Sequence, residues 1–541
     1  MHTTERTPTL TRRDTLIFGV LALIASVVIT RGLIAAPSFT DAYYHYNAAI
    51  RLASGDGLTE PYLWTYIGAP ETWPASGVVP SHLYWMPLTS VIAGFGMGIV
   101  GAPGDYFAAQ WPFTLLLMGT ALLGFWLGGR MGGTQRHAWV VGLLTLFSGF
   151  YTRFWGTIDT FAPYAFIGAL SLIALGMAAE RGGNTQPGVR GFAVGGGLAA
   201  LGHLTRADGL LLLGIGWLLI AWPWSKLQIR QRIALLFLIT TAYALVMSPW
   251  FIRNLNAIGT PLPLGGTQAI WFTEYNDLFN FPPDSNPATL FADGLSTLIS
   301  SRLEALQSNL GTFIAVEGLI AMTPLMLIGL WVRRRDPFVR PFWLYALGLH
   351  IAMTLIFPYP GYRGGLLHSA AALIPWWAAL GVIGLDTVVD WLAKRRRRWN
   401  ARTAKWIFSG GLVSLALLLS VSIGWNGRVP PRTQTPALYT ALSERLPADS
   451  RLMINDPAIL YHFTGFGGVV LPNADPDVIP EIARRYQIDY VLLESRAATP
   501  ARLWPLFDSP PDFLTELPLD DSDDSLNNFD DLGATLYAIT R

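Results

Sequence analysis

The chain has 541 residues, of which 52% are hydrophobic and only 13% are charged, and it contains 21 tryptophans. Its formal net charge of +1 leaves no basic surplus for binding nucleic acid, and the absence of cysteine excludes disulfides and thiolate chemistry. This composition excludes an ordinary soluble enzyme and predicts a mainly α-helical, polytopic membrane protein.

Apolar segments predict about eleven membrane-spanning helices, because a hydrocarbon core of roughly 30 Å requires about 20 apolar residues per span. After a cytoplasmic segment at 1–14, the first apolar run lacks a small-residue cleavage site followed by a soluble domain, so we expect an anchor and not a signal peptide. The apolar piece from Met86 to Val100 is expected to be re-entrant or interfacial. The spans are predicted at 15–36, 106–129, 138–152, 157–179, 191–204, 207–222, 232–251, 311–332, 341–357, 365–390 and 403–424.

The distribution of basic residues predicts the orientation of these spans. With the N-terminus inside, the inner segments contain most of the arginines and lysines and end with "KRRRRW" at 394–399, whereas the outer loops contain only Arg51, Arg153, Arg206, Arg253, Arg302 and Arg363. Such a bias is the positive-inside rule. We therefore expect a multi-pass protein of the plasma membrane, with a transmembrane domain over 15–425 and large outer loops at 37–105 and 252–310.

The last part of the chain, 426–541, differs from the rest because it is rich in acidic residues and has no apolar run long enough to cross a membrane. Short strands are predicted at "RLMIND" (451–456), "GVVLP" (468–472) and "DYVLLE" (489–494), with a helix over 475–488. This pattern predicts a small extracytoplasmic α/β domain.

Polar residues at the outer ends of the predicted spans converge on one side of the membrane. Ionisable groups at this depth are costly and usually mark function. They are Asp41, His45, Arg153, Asp159, His203, Arg206, Asp208, Arg253, Asn254, Glu274, Arg363 and His368. Together they predict a functional site that opens away from the cytosol.

The residue types at this face suggest group transfer from a lipid phosphate. Arginine presents a planar fork of donors that suits phosphate oxygens, and several outer arginines lie where a lipid-borne phosphate would sit. Asp41 lies among Tyr43, Tyr44 and Tyr46, where desolvation would raise its affinity for a proton and let it act as a general base towards an alcohol.

Three sequence segments carry a family resemblance: "YYHYNAAIRLASGDG" at 43–57, "TRADG" at 205–209 and "PWFIRN" at 249–254, which an outer loop follows. Over roughly residues 10–390 the chain resembles the GT-C class of integral-membrane glycosyltransferases. More narrowly, it resembles the branch of protein O-mannosyltransferases and aminoarabinose transferases, which use polyprenyl-phosphate sugars.

The resemblance implies a catalytic carboxylate at Asp41, a second outer-face acid at Asp159 and a basic residue near the donor phosphate at Arg206. Two positions depart from the family pattern. Met86 precedes Pro87 where relatives often have a Lys-Pro pair, so we expect Arg363, Arg206 or His82 to bind the phosphate. Ala42 follows Asp41 where relatives often have a second acid.

We therefore predict an inverting glycosyltransferase that moves a sugar from a polyprenyl-phosphate donor to an extracytoplasmic lipid, glycan or protein. Asp41 is the predicted catalytic residue, neither a metal nor another cofactor is expected, and membrane lipid and the lipid-linked donor are the expected partners. The predicted substrate-binding residues are Tyr44, His45, His82, Asp159, Arg206, Asp208, Arg253, Glu274, Arg363 and His368.

Two other functions fit parts of the sequence. Polar residues within broken helices also build transport paths, although a transporter would need a matching acidic set on the inner side. The second alternative is a non-catalytic scaffold for envelope glycan assembly, since fold does not imply function. Ala42 and Met86 favour it because they depart from the family pattern.

Overall fold

The computed structural model describes residues 11–182, 188–221, 227–292, 294–396, 399–432, 434–517 and 533–540. Most of the predicted cytoplasmic segment 1–14 and part of the basic cluster 394–399 lie outside these ranges.

Helices dominate the chain as far as residue 426. They are α1 (Arg12–Leu33), α2 (Thr40–Ala53), α3 (Leu88–Val100), α4 (Tyr106–Gly132), α5 (Gln135–Leu146), α6 (Phe161–Gly182), α7 (Val189–Thr205), α8 (Leu210–Ala221), α9 (Ile229–Ile258), α10 (Gly265–Gln268), α11 (Pro287–Ala292), α12 (Gly294–Thr312), α13 (Thr323–Arg333), α14 (Arg340–Ile351), α15 (Pro358–Pro360), α16 (Leu366–Ala370), α17 (Ile374–Ala393) and α18 (Ala401–Asn426). α19 (Ala437–Arg445), α20 (Pro457–Thr464) and α21 (Ile479–Tyr486) follow.

Within the described ranges, six helices are long and apolar enough to cross a membrane: Arg12–Leu33, Tyr106–Gly132, Phe161–Arg181, Ile229–Ile258, Pro358–Ala393 and Ala401–Asn426. Each overlaps a predicted span. α3 has 13 residues, and at about 1.5 Å per residue it is too short to span a bilayer. The total of about eleven spans stays a prediction.

The helices are interrupted by π-helical turns at or beside the ends of three predicted spans. Between α12 and α13 the backbone forms a π-helical turn at Phe313–Glu317, and Leu319 and Ile320 adopt positive φ angles of 44° and 64°. A second π-helical turn lies at Ala352–Ile356, and a third at Gly361–Gly365 contains Gly364 with a φ of 127°. Interruptions of this kind occur at membrane depth where the backbone lines a cavity or is buried in protein.

α13 and α17 pack through glycines that let their backbones approach closely. A Cβ atom added to Gly384 would lie 1.9 Å from the Leu325 carbonyl oxygen, and one added to Gly329 would lie 1.9 Å from the Leu380 oxygen. Small residues at such contacts are typical of helices packed in membranes. Because α17 continues the segment that carries His368, this contact fixes one wall of the polar site.

A six-stranded sheet in the order β2-β5-β4-β6-β8-β7 combines the C-terminal part of the chain with the loop at 37–105, the predicted first outer loop. β2 comes from that loop and pairs in parallel with β5, Tyr62 opposite Gly468. β4, β5 and β6 lie close to the three predicted strands. The strands are β1 (Thr59–Glu60), β2 (Tyr62–Leu63), β3 (Val79–Pro80), β4 (Arg451–Ile454), β5 (Gly467–Val470), β6 (Tyr490–Leu493), β7 (Leu514–Glu516) and β8 (Thr535–Ile539).

The glycine contact between α13 and α17 yields a stability prediction. Gly384→Ala forces a methyl group against a backbone carbonyl that cannot rotate away, so we expect a destabilisation of about 1–3 kcal/mol and a lower melting temperature in detergent. Gly410→Ala is the matched control, since nothing lies within 4 Å of a Cβ added at Gly410 in α18. Equal melting temperatures for the two variants would contradict the close packing.

Candidate active site

α2 presents Asp41 and His45 on one face, because residues four apart on a helix project in the same direction. Asp41 lies in the first turn of α2, where a carboxylate interacts favourably with the helix dipole. The His45 side chain is completely buried. The first outer loop therefore contributes an acid and an imidazole to the same enclosed space.

Asp41 meets two other residues of the predicted site, Asp159 and His368. One side-chain oxygen or nitrogen from each residue lies within 4.8 Å of the other two. Asp159 is only 1% exposed, and its Oδ2 lies 3.6 Å from His368 Nε2. The fold thus joins three separate parts of the chain: the first outer loop, the start of α6 and the broken helix before α17.

The Arg206 guanidinium organises this cluster from the end of α7. Its Nε donates to Asp208 Oδ1 at 3.0 Å and to Ser369 Oγ at 2.8 Å. Its Nη1 donates to His368 Nδ1 at 2.9 Å. The Ser369 hydroxyl in turn donates to Asp208. One part-buried cation is thereby hydrogen-bonded to Asp208 on its own segment and to the segment that carries His368 and Ser369.

Burial raises the pKa values of the two acids of the cluster. It raises the pKa of Asp41 to about 7, an effect to which the Asp159 charge adds and which the Arg206 charge opposes. Burial likewise raises the pKa of Asp159 to about 6. Asp41 can therefore accept or release a proton near neutral pH, which a general base requires.

Two carboxylates and an imidazole are ligand types that divalent metals use, so the cluster can be tested for a metal. His368 Nδ1 accepts from Arg206, and a neutral imidazole then carries its hydrogen on Nε2, the nitrogen that faces Asp159. Both ring nitrogens are therefore engaged and neither has a lone pair left for a metal. With Arg206 in this position, His368 does not fit as a metal ligand.

Aromatic side chains line the approach to Asp41. The Trp85 side chain interacts with Asp41 and opposes the rise of its pKa, and the Trp85 ring lies 4.0 Å from Trp64, centroid to centroid. Trp64, Trp85 and Tyr84 line a narrow cleft together with Glu60, whose pKa burial raises to about 8. Flat aromatic faces of this kind suit the apolar face of a sugar ring.

A layer behind the cluster contains three of the predicted binding residues: Tyr44, His82 and Arg253. The Tyr44 hydroxyl accepts from the His82 backbone N–H at 2.6 Å. Arg253 Nη2 donates to the carbonyl oxygens of Leu58 at 2.7 Å and Ser81 at 3.0 Å. These contacts hold the first outer loop in shape, and phosphate binding by His82 stays a prediction.

Arg363 and Glu274 lie at the margin of the site. Arg363 is exposed, its guanidinium lies 4.8 Å from the centroid of the Tyr275 ring, and Tyr275 interacts electrostatically with Asp41. Glu274 caps the short helix Tyr275–Phe279 and accepts from Asn473 Nδ2 at 2.8 Å. Arg363 can therefore reach a ligand, whereas Glu274 ties its loop to the C-terminal part of the chain.

The C-terminal part also contacts the helix that carries Asp41. The Thr40 hydroxyl donates to Asp456, which caps α20 by accepting from the backbone N–H groups of Ala458 at 3.1 Å and Ile459 at 3.0 Å. The Asp456 charge contributes to the raised pKa of Asp41. This part of the chain therefore acts on the site through both contact and charge.

Several site residues were not predicted from the sequence. Ser369 follows His368 directly and Thr160 follows Asp159, so their positions beside predicted residues were the available signal. Asp456 lies more than 400 residues from Thr40, and no local pattern links them. The sequence shows which residues are polar, whereas such pairings depend on tertiary packing.

No protein-family model and no curated protein matches this chain. Among solved structures it is similar to ArnT from Cupriavidus metallidurans in the apo state, with a TM-score of 0.55 and 12% identity over 97% of each chain. It is also similar to the oligosaccharyltransferase AglB from Archaeoglobus fulgidus in complex with an inhibitory peptide and a dolichol-phosphate. That match has a TM-score of 0.53 and 12% identity, and it covers 88% of this chain and 69% of AglB.

The same Archaeoglobus enzyme in complex with Zn and sulfate matches with a TM-score of 0.52 and 12% identity, over 88% of this chain and 67% of the enzyme. At these identities the likeness is one of fold. The structural neighbours of this chain are GT-C glycosyltransferases, and the chain shares their membrane fold.

Proposed function

We propose that this protein transfers a sugar from a polyprenyl-phosphate donor to an acceptor on the outer side of the membrane, with inversion at the anomeric carbon. The observation that carries the proposal is the buried cluster in which Asp41, with a pKa near 7, lies beside Asp159 and the Arg206 guanidinium. A neighbour with the same fold is known in complex with a dolichol-phosphate, a lipid-linked phosphate of the proposed class.

In the proposed reaction an acceptor hydroxyl or amine attacks the anomeric carbon while Asp41 takes its proton. The new glycosidic bond forms as the bond from that carbon to the phosphate oxygen breaks, and the polyprenyl phosphate leaves with the electron pair. Negative charge grows on the phosphate in the transition state, where a fixed guanidinium is most effective.

Arg363 is the better candidate for binding that phosphate. Arg206 already donates to Asp208, Ser369 and His368. Arg363 is exposed and forms no ion pair within the described ranges of the chain, and it lies over Tyr275 at the edge of the cluster. We therefore assign the phosphate to Arg363 and the orientation of the acids to Arg206.

The activity is tested with Asp41→Asn and a panel of synthetic polyprenyl-phosphate sugars. Loss of a general base typically lowers rates by about 10²–10⁴-fold, so we expect kcat to fall by about 100-fold or more while the protein stays folded. Asp56→Asn is the matched control, because Asp56 is an exposed acid of the same outer loop.

An Asp41→Asn variant as active as the wild type would remove the base assignment. A wild-type protein that transfers none of the sugars would favour the non-catalytic scaffold.

The pKa of Asp41 predicts how activity depends on pH. A base must be ionised to act, so kcat/KM should rise with pH and level off above an inflection near 7. The Asp456 charge raises this pKa, so Asp456→Asn should move the inflection to lower pH. Asp475→Asn, at an exposed acid of the same domain, should not. A profile that falls between pH 6 and 8, or no shift in Asp456→Asn, would contradict the assignment.

We propose that the reaction needs no metal, because His368 is engaged by Arg206 and Asp159. Initial rates should be unchanged after dialysis against EDTA and after addition of Mg²⁺, Mn²⁺ or Zn²⁺. Dolichol-phosphate transfer by a known metal-dependent enzyme serves as the control for chelation. Loss of activity with EDTA that one of these ions restores would show that Arg206 moves away from His368 in the working enzyme.

A further inference from the structure

Four buried side chains form a continuous hydrogen-bonded chain that ends at His45. Ser81 Oγ lies 2.8 Å from His82 Nδ1, His82 Nε2 lies 3.0 Å from Ser90 Oγ, and Ser90 Oγ lies 2.8 Å from His45 Nδ1. None of the four is exposed to solvent. Every side-chain nitrogen of these four residues is thus hydrogen-bonded except His45 Nε2.

The backbone at His82 is held in an uncommon conformation. Its φ of 63° lies in the left-handed region, which costs energy for a residue other than glycine and persists only where the surroundings enforce it. Here the Tyr44 hydroxyl accepts the His82 backbone N–H, and both ring nitrogens are bonded. Backbone strain of this kind clusters at functional sites, which suggests that the four hydrogen-bonded side chains have a role beyond packing.

Hydrogen-bond donation along these four side chains has a preferred direction. Within the described residues the Ser81 hydroxyl has one hydrogen-bond partner, His82 Nδ1, and a buried hydroxyl that only accepts would leave its own hydrogen unpaired. Ser81 therefore donates to His82, and neutral His82 donates from Nε2 to Ser90. Ser90 then donates to His45 Nδ1, so that the hydrogen of neutral His45 is on Nε2.

The His45 imidazole lies near the Asp41 cluster, and its Nε2 is the one ring nitrogen left unpaired. The atom is buried and has no hydrogen-bond partner among the described residues. The imidazole interacts electrostatically with Arg206 and with His368, and it lies one helical turn from Asp41. A buried N–H without an acceptor beside a candidate active site is suited to a ligand oxygen.

We infer that His82 and Ser90 are positioning residues that fix His45 as a neutral N–H donor to an oxygen atom of the bound donor substrate. The inference rests on the proposed transferase function, and the oxygen belongs either to the lipid-borne phosphate or to the sugar. Because His45 donates, it does not compete with Asp41 for the acceptor proton. The two residues on the same face of α2 therefore have opposite roles.

The test is a double-mutant cycle. Ser90→Ala frees the His45 tautomer and should lower kcat/KM by about 10-fold, whereas in a His45→Gln background the same change should cost less than about 2-fold, since an amide N–H needs no tautomer to be set. Thr89→Val is the matched control: Thr89 is an equally buried neighbour whose hydroxyl has no partner among the described residues.

The affinity for a short-chain polyprenyl phosphate, measured by thermal shift, provides a readout that needs no turnover. Coupling of Ser90→Ala to His45→Gln in this affinity supports the inference and assigns the oxygen to the phosphate. Coupling in kcat/KM with unchanged affinity supports it and assigns the oxygen to the sugar.

Either of two results would overturn the inference and leave the proposed function standing. One is an equal loss of kcat/KM from Ser90→Ala in both backgrounds, and the other is a loss of kcat/KM in Thr89→Val as large as that in Ser90→Ala. A wild-type protein that neither binds the lipid phosphate nor transfers sugar would overturn the proposed function together with the inference.

Discussion

The site depends on one electrostatic constraint: a part-buried acid, Asp41, and a buried one, Asp159, lie together within reach of a single guanidinium, Arg206. Two buried carboxylates cannot both ionise cheaply, so one keeps its proton near neutral pH unless a cation balances it. Arg206 is itself shared with Asp208, which limits how much charge it can offset. Desolvation, to which the Asp159 charge adds and which the Arg206 charge only partly opposes, therefore gives Asp41 a pKa suited to proton transfer.

The fold maintains this arrangement through supports in the helical bundle and in the C-terminal part of the chain. The glycine contacts of α13 and α17 support the segment with His368 from within the bundle. Away from the bundle, β2 joins the C-terminal sheet, and Asp456 holds the start of α2 through Thr40. The C-terminal part of the chain is therefore a component of the site, because the helix that carries Asp41 is packed against it.

Composition and periodicity were enough to predict the membrane class, and the resemblance at 43–57 and 205–209 was enough to predict the GT-C fold. The positive-inside pattern placed Asp41, Asp159, Arg206 and His368 on one face, and the structure brings these four together. Span ends were less predictable, since the breaks near Leu319 and Gly364 depend on tertiary packing that can satisfy their backbone groups. The pairing of Thr40 with Asp456 joins distant parts of the chain and leaves no local signal in the sequence.

The central claim is that lipid-borne phosphate and acceptor meet at the Asp41 cluster. The most direct test is a structure of the protein in a nanodisc with a polyprenyl phosphate, solved by electron cryo-microscopy. We predict density for the phosphate in contact with Arg363, on the same side as the Asp41 carboxylate. Phosphate bound at the inner face, or at an outer position remote from Asp41, would contradict it.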